Sequence, residues 1–185
     1  MQRLITACIV AAGMLAGAPV NSPAAPTDAE MQSAWETQLD SWELRYREGS
    51  LEAFGRTRQV LWFSFDGDNG SWTTYAGYIQ EHGVVFANSI LEKNIVAKDR
   101  RLAVCEYLSR VNDRIAMGFF HLDFDTGVAG FMVSSLAESS GASQETLENV
   151  LAWNLVTVDK YLPGMLEVLY GSASPTDALA RVLGE

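Results

Sequence analysis

The chain has few residues of the kinds that build catalytic centres and covalent frameworks. Its 185 residues include two cysteines, Cys8 and Cys105, and two histidines, His82 and His121. Two cysteines cannot form a disulfide framework or a zinc site made of thiolates alone. The motifs of P-loop NTPases, dinucleotide-binding folds, serine hydrolases and zinc peptidases do not occur in the sequence. The sequence therefore favours a non-catalytic protein and implies no cofactor.

Basic residues and long apolar runs are also scarce. The chain has 13 lysines and arginines against 23 acidic residues, so its net charge is -10 and it would repel a phosphate backbone. The apolar run that starts at Leu4 falls short of the roughly 20 residues that cross a bilayer. Apolar residues nevertheless make up 48% of the chain, enough for the core of one domain. We expect no nucleic-acid partner and no stable membrane span.

Residues 1–26 differ in composition from the rest of the chain. Arg3 is followed by the uncharged run LITACIVAAGMLAGAPV and the small-residue stretch NSPAAPT, a pattern typical of a secretory signal peptide. The most workable cleavage site follows Ala24. The alternatives are a disordered N-terminal segment or a true translation start at Met31. Localisation stays open with them: periplasmic export if the segment is cleaved, the cytoplasm otherwise.

Residues 27–185 read as one domain that begins with a helix and three strands. Thr27 and Glu30 have capping-box spacing, and apolar residues then recur every three or four positions as far as Tyr46. Gly49 is predicted to end this helix. Strands are predicted at 59–65, 71–80 and 84–91, because these stretches are rich in β-branched and aromatic residues. The turn sequences DGDNG and EHG separate them, so the neighbouring strands are antiparallel.

The second half of the domain is predicted to be helix, hairpin and helix. A helix over 97–115 has an apolar stripe of Leu102, Cys105, Leu108, Val111 and Ile115. Ser143 caps a third helix, which Pro163 and Gly164 interrupt, and Ser174-Pro175 starts a last one. The predicted fold is α+β in the order α-βββ-α-ββ-α(α), an antiparallel sheet of about five strands packed by helices.

The predicted hairpin, residues 118–135, supplies the candidate binding surface. Pairing Asp125 with Val128 across a turn at 126–127 places alternate residues on one core face. The opposite face carries apolar side chains where solvent would prefer charge, a pattern that favours a protein partner or a second copy of the chain. Its alternative is burial under other elements. The residues that define this candidate surface are Phe119, His121, Val128 and Met132.

A hydrolase is the alternative functional hypothesis. His121 and Asp123 alternate along one predicted strand and point the same way, which suggests metal binding, although ligands spaced along a rigid strand do not converge on one ion. Cys105 could act as a nucleophile, but a buried structural thiol is the simpler interpretation of its place on an apolar stripe.

From about Leu102 to Glu185 the chain resembles the YbjN-domain family, described as bacterial sensory transduction regulators. The resemblance is carried by EYLSRVN, by the hairpin GFFHLDFDTGVAGFMVSS and by NLVTVDKYLPGMLEVLYGSASPTDAL. In the last segment the residues at the family's spacing include Asn154, Asp159, Tyr161, Pro163, Gly164, Tyr170, Gly171 and Pro175. We interpret these residues as fold determinants.

The resemblance implies a fold like that of type III secretion chaperones, often dimeric, with a regulatory or protein-binding role and no enzyme activity. A protein or peptide partner and a homodimer are therefore the expected assemblies. The hairpin departs from the family pattern, because Phe119 and His121 replace polar residues and Val128, Gly130 and Met132 replace charged ones. A family surface that depends on those charges is not expected here.

Overall fold

Within residues 25–53, 56–91, 95–138 and 140–185, which the computed structural model describes, the chain forms four helices and six strands. The predicted signal peptide lies outside the described residues, apart from Ala25 and Pro26. The elements are α1 (Asp28–Ser41), β1 (Arg47–Ala53), β2 (Arg56–Asp66), β3 (Ser71–Ile79), β4 (Val84–Ile90), α2 (Arg101–Asn112), β5 (Phe119–Leu122), β6 (Ala129–Leu136), α3 (Gln144–Leu169) and α4 (Pro175–Leu183).

The six strands form one antiparallel sheet in the order β1-β2-β3-β4-β6-β5. The first four strands are joined by short connections and lie side by side in chain order. After α2 the chain returns as a hairpin, and β6 pairs with β4 while β5 forms the far edge. The predicted α+β class with helices on an antiparallel sheet is confirmed.

The sheet has one more strand than predicted, because residues 47–53 form β1 and do not continue the first helix. The helix ends at Ser41, and Glu43 adopts a φ of 56°, which turns the backbone away from the helical path. The predicted end at Gly49 was therefore wrong. β1 pairs with β2 over its full length, from Arg47 opposite Trp62 to Ala53 opposite Arg56. The local sequence REGSLEA has little strand preference, so the ladder with β2 decides its conformation.

Three of the four described helices pack on the same face of the sheet, and α4 packs on α2 and α3. α1 lies against β2 and β3, α3 against β4 and β6, and α2 against β5. The predicted caps are confirmed: Thr27 and Glu30 form a capping box, and the side chains of Ser143 and Ser174 accept backbone N–H groups at the starts of α3 and α4. Within the described part of the chain, none of the helices has both the length and the apolar content that a membrane crossing requires.

The buried stripe of α2 differs from the predicted one. Leu102 is 78% exposed and Cys105 is half-buried, whereas Val104, Tyr107, Leu108 and Val111 are buried with Arg101. The orientation follows from Arg101, whose guanidinium donates to the carbonyls of Val96 and Phe124 and so joins the loop before α2 to the β5–β6 turn. A buried guanidinium needs such acceptors, and this requirement outweighs the burial of Leu102.

The third helix is continuous through Pro163, contrary to the predicted interruption. Proline has no N–H, so it leaves the carbonyl of Asp159, four residues earlier, without its helical donor. Asn69 in the β2–β3 turn supplies one instead, through Nδ2 to Asp159 O at 3.1 Å. The Asp159 carboxylate in turn accepts the Asn69 backbone N–H at 2.8 Å. Asp159 lies in the middle of α3 and ties a sheet turn to this helix.

We expect Asp159→Ala to lower the free energy of unfolding by about 1–2 kcal/mol, because it removes a charged acceptor from the Asn69 backbone. Urea denaturation measures the loss. Glu148→Ala on the exposed side of the same helix is the control and should change stability by less than about 0.5 kcal/mol. Equal losses in the two variants would contradict the anchoring role of Asp159.

The β5–β6 hairpin has a longer turn than predicted. Leu122 pairs with Ala129, and Asp123 N donates to Val128 O, whereas the predicted register paired Asp125 with Val128. The difference is two residues along the strand. Because side chains alternate with a period of two, this shift leaves the predicted faces unchanged within the ladder.

Candidate partner-binding face of the sheet

The sheet face opposite the helices, which we call the outer face, receives side chains from all six strands. The strand register sets one residue of each strand side by side across it, forming what we call the central row: Arg47, Trp62, Tyr75, Asn88, Met132 and Phe119. Since neighbouring strands lie about 4.8 Å apart, the row spans roughly 24 Å. That length suits contact with a helix or an extended segment of another protein.

Three of the four predicted surface residues meet at the β5 end of this row. Phe119 lies directly opposite Met132 and is 49% exposed. The His121 ring lies next to Phe119, with ring centroids 6.2 Å apart, and its Nε2 is 3.3 Å from Asn88 Oδ1. Val128 lies beyond the end of the ladder, opposite Asp123 in the turn. The structure therefore brings Phe119, His121 and Met132 together and places Val128 at their margin.

His121 is an uncharged contributor to this face at neutral pH. Burial disfavours the imidazolium and lowers the pKa of His121 below its ordinary value, and the nearby carboxylate of Asp123 offsets only part of this effect. The ring lies across Gly130, where an added Cβ would come within 2.7 Å of Nε2. The neutral ring therefore adds area to the apolar end of the central row.

A second small core lies on the outer face. Val60, Ile79 and Phe86 are each less than 5% exposed and are packed by Leu51, Tyr75, Val84 and Met132. Phe86 and Val60 lie across Gly77, where an added Cβ would come within 2.9 Å of the Phe86 ring. The glycine lets large side chains lie flat on the sheet. The outer face is thus a packed apolar surface rather than a set of isolated exposed residues.

The charge of the outer face has the opposite sign to that of the whole protein. Its described strand residues include Arg47, Arg56 and Arg58 but, among acids, only Asp66. The Arg47 guanidinium stacks over Trp62 at 5.5 Å. Arg58 is paired with Glu81, and this pairing lowers the pKa of the Glu81 carboxyl to about 2. In a chain of net charge -10, most of the acids lie elsewhere, so self-repulsion is weak on this face.

Sequence reasoning missed the larger half of the outer face. Trp62, Tyr75 and Phe86 lie in strands that were predicted, but their faces were not assigned. The short turns between these strands held the necessary signal, because they fix antiparallel pairing and the alternation then gives the face of each residue. Arg47 and Leu51 could not be placed, since they belong to the unpredicted strand β1.

The residues of the hydrolase hypothesis lie on two different elements, with His121 and Asp123 at the end of β5 and Cys105 on α2. The Asp123 carboxylate accepts the N–H groups of Asp125 and Thr126, and these bonds hold the pKa of Asp123 below its usual range. Cys105 is a half-buried free thiol on α2. In the described part of the chain, no three or more His, Cys, Asp or Glu residues are grouped so as to hold a metal ion.

Asn154 of the C-terminal motif forms a buried polar network beneath the sheet. Its Nδ2 donates to the carbonyls of Ala87 on β4 and Phe131 on β6, at 3.0 and 2.9 Å. Its Oδ1 accepts the Ser89 hydroxyl, which also bonds the Thr74 hydroxyl. Asn154 therefore fixes α3 across three strands.

Most of the other motif residues also make internal contacts. Tyr161 is buried edge-on against Phe120, and its carbonyl accepts the Tyr107 hydroxyl at 2.8 Å. Gly164 lies against the ring of Tyr107.

The last three motif residues lie at the end of α3 and the start of α4. Gly171 has a φ of 74° and lies against Arg100, while Pro175 is the first residue of α4. Tyr170 differs from them because it is 71% exposed. Apart from Tyr170, the C-terminal motif holds the helices to one another and to the sheet.

No protein-family model matches the chain, and no curated protein matches it significantly.

Proposed function

We propose that this chain is a non-catalytic binding module of the YbjN-domain type, which captures a protein or peptide segment on the outer face of its sheet. The observation that carries the proposal is the central row, an aromatic and apolar strip across the face on which none of the described helices packs. An apolar sheet face that no described helix covers is a candidate interaction site. The resemblance of residues 102–185 to a family of regulators with a chaperone-like fold supports the same role.

The occupant of the outer face is expected to be an apolar segment of a protein partner, or a second copy of the chain. Phe119 offers a large exposed ring at one end of the central row, and the half-buried ring of Trp62 lies under Arg47 near the opposite end. Aromatic and arginine side chains are the residues that contribute most to protein interfaces. The scarcity of acids on this face allows two copies to approach each other there.

Met132→Asp tests this proposal. It places a charge in the middle of the β5 end of the central row, and we expect it to weaken self-association or partner capture at least tenfold. Sedimentation measures self-association, and quantitative capture compares the wild type and the variant at equal concentration. Val156→Asp is the matched control, because Val156 is a 66% exposed apolar residue on α3, away from this face.

We expect Met132→Asp to weaken self-association or partner capture and Val156→Asp to leave both unchanged. Unchanged association in a folded Met132→Asp variant would show that the outer face is not the binding surface. Circular dichroism and thermal unfolding establish that each variant is folded before the comparison is made.

A further inference from the structure

The two edges of the sheet differ in whether a further strand can pair with them. At the β5 edge, the Asn112 side chain bonds both backbone groups of Phe120: Phe120 N donates to Oδ1 at 2.7 Å, and Nδ2 donates to Phe120 O at 3.0 Å. The carboxamide thus takes the place of a neighbouring strand residue. With α2 packed alongside, this edge is closed to a further strand.

The β1 edge receives no such side-chain bonds from the described residues. β1 pairs with β2 on one side, and no strand in the described part of the chain pairs with its other side. The strand is seven residues long, and the side chains of residues 47–52 are exposed or half-buried. Alternate residues of an edge strand direct their N–H and C=O groups away from the sheet, which makes the edge a template for an added strand.

The side chains along this edge have a distinct chemistry on each face. Glu48 and Glu52 project on the helix side of the sheet, since Glu48 lies opposite the core residue Leu61. Glu48 adjoins other acids: partial burial raises the pKa of Tyr46, and the negative charges of Asp40, Glu36 and Glu48 raise it further. On the outer face the same edge presents Leu51 and the Trp62 ring, which lies across Gly49.

The charges of Glu48 and Glu52 determine which kind of strand can pair with the β1 edge. Two copies of β1 paired antiparallel over their full length, centred on Ser50, would set Glu48 opposite Glu52 twice. Like charges directly opposite one another destabilise a strand pair, and opposite charges stabilise it. The acids therefore oppose pairing with a second copy, as charged edge residues commonly do, but favour a strand with basic residues at the facing positions.

We propose that the free edge of β1 adds a strand from a partner protein in which basic and apolar residues alternate. The basic side chains lie on the helix side beside Glu48 and Glu52, and the apolar ones lie on the outer face beside Leu51 and Trp62. Main-chain hydrogen bonds supply part of the affinity, and the side-chain alternation supplies the specificity. This inference goes beyond the proposed function, because β1 and Phe119 lie on opposite edges of the sheet.

The test uses a synthetic peptide of about nine residues in which lysine alternates with valine, long enough to pair with an ordinary strand. Fluorescence anisotropy measures its binding to the full chain. Glu48→Lys/Glu52→Lys should weaken binding about tenfold, because two attractive pairs become repulsive. Glu148→Lys/Glu185→Lys makes the same change of net charge at exposed positions on α3 and at the C-terminus, and should leave binding close to that of the wild type.

Two further peptides and one further readout separate strand addition from simple charge attraction. A peptide with glutamate in place of lysine should not bind, and one N-methylated at the alternate residues that face β1 should lose binding because it cannot donate to the ladder. Hydrogen exchange of the amides in residues 47–53 should slow at least tenfold when the alternating lysine–valine peptide is bound.

The proposal would be overturned if the lysine–valine peptide bound both double variants equally well, or if the N-methylated peptide bound as tightly as the unmodified one. It would also be overturned if the peptide slowed hydrogen exchange only outside residues 47–53. Protection of residues 47–53 that grows with protein concentration and without peptide would also overturn it, since it would show that a second copy occupies the edge. Met132→Asp should still bind the peptide, so this proposal and the proposed function stand or fall separately.

Discussion

Asn154→Asp is expected to destabilise the protein strongly at neutral pH and much less in acid. The side chain is fully buried, and its amide donates to two backbone carbonyls, so an aspartate there exchanges two donors for a carboxylate. Burial without a cation raises the pKa of a carboxyl well above the value of about 3.9 that it has in the unfolded chain.

The sign of the pH dependence follows from that raised pKa. Below about pH 4 the carboxyl is protonated in both states, and only the lost hydrogen bonds count, about 1–3 kcal/mol. Above it the unfolded state releases its proton first, so the free energy of unfolding relative to the wild type falls by about 1.4 kcal/mol per pH unit until the folded pKa is reached. We expect an additional loss of about 3–4 kcal/mol between pH 4 and pH 7.

Urea denaturation of the variant and the wild type at matched pH values between 4 and 7 measures this difference. Asn154→Leu is the control, because it removes the same hydrogen bonds but does not titrate. Its loss of unfolding free energy relative to the wild type should be independent of pH. If Asn154→Asp is unfolded at pH 7, refolding on acidification gives the same information. If the loss of unfolding free energy in Asn154→Asp were the same at every pH, residue 154 would not be buried as the structure describes.

Gly164→Ala is expected to lower the free energy of unfolding by about 2–3 kcal/mol, although the same change inside an exposed helix usually raises it by up to about 1 kcal/mol. The added methyl would overlap the hydroxyl of Tyr107 and come within 2.8 Å of its Cζ. Tyr107 is fully buried between α2 and α3 and donates to the carbonyl of Tyr161, so its ring has no open space to enter.

A double-mutant cycle isolates this contact. Tyr107→Phe removes the overlapping hydroxyl but leaves the ring. In that background Gly164→Ala should lower the free energy of unfolding by about 1 kcal/mol less than it does in the wild type, or by a still smaller amount. Thermal or urea unfolding of the four proteins measures the coupling. Additive effects would contradict the close approach of α2 to α3 at this glycine.

Local signals predicted the parts of the fold that depend on neighbouring residues. Thr27, Ser143 and Ser174 satisfy backbone donors within their own first helical turns, so their caps were readable from the sequence. The faces of the β5–β6 hairpin were predicted although its register was wrong by two residues, because a shift of two preserves side-chain alternation. For this reason Phe119 and Met132 were placed together on one surface.

The candidate site was only half predictable, because its other half depends on strand pairing at a distance. Trp62 and Tyr75 join the central row through the β2–β3 register. Arg47 joins the central row through β1. The sequence of β1 was predicted to continue the first helix, and its pairing with β2 makes it a strand. The Asn112 bonds that close the β5 edge likewise connect a helix end to a strand that follows it.

The sequence by itself therefore determined the order of the elements apart from β1, the starts of α1, α3 and α4, and the alternation of the hairpin, since each rests on contacts a few residues apart. Tertiary structure alone decided that β1 is a strand, that α2 turns Arg101 inward and that α3 continues through Pro163. In each case a distant group supplies the missing hydrogen-bond partner: the ladder of β2, the carbonyls of the β5–β6 turn, or the amide of Asn69. A buried polar backbone or side-chain group must find a partner, and a partner so far along the chain leaves no local pattern.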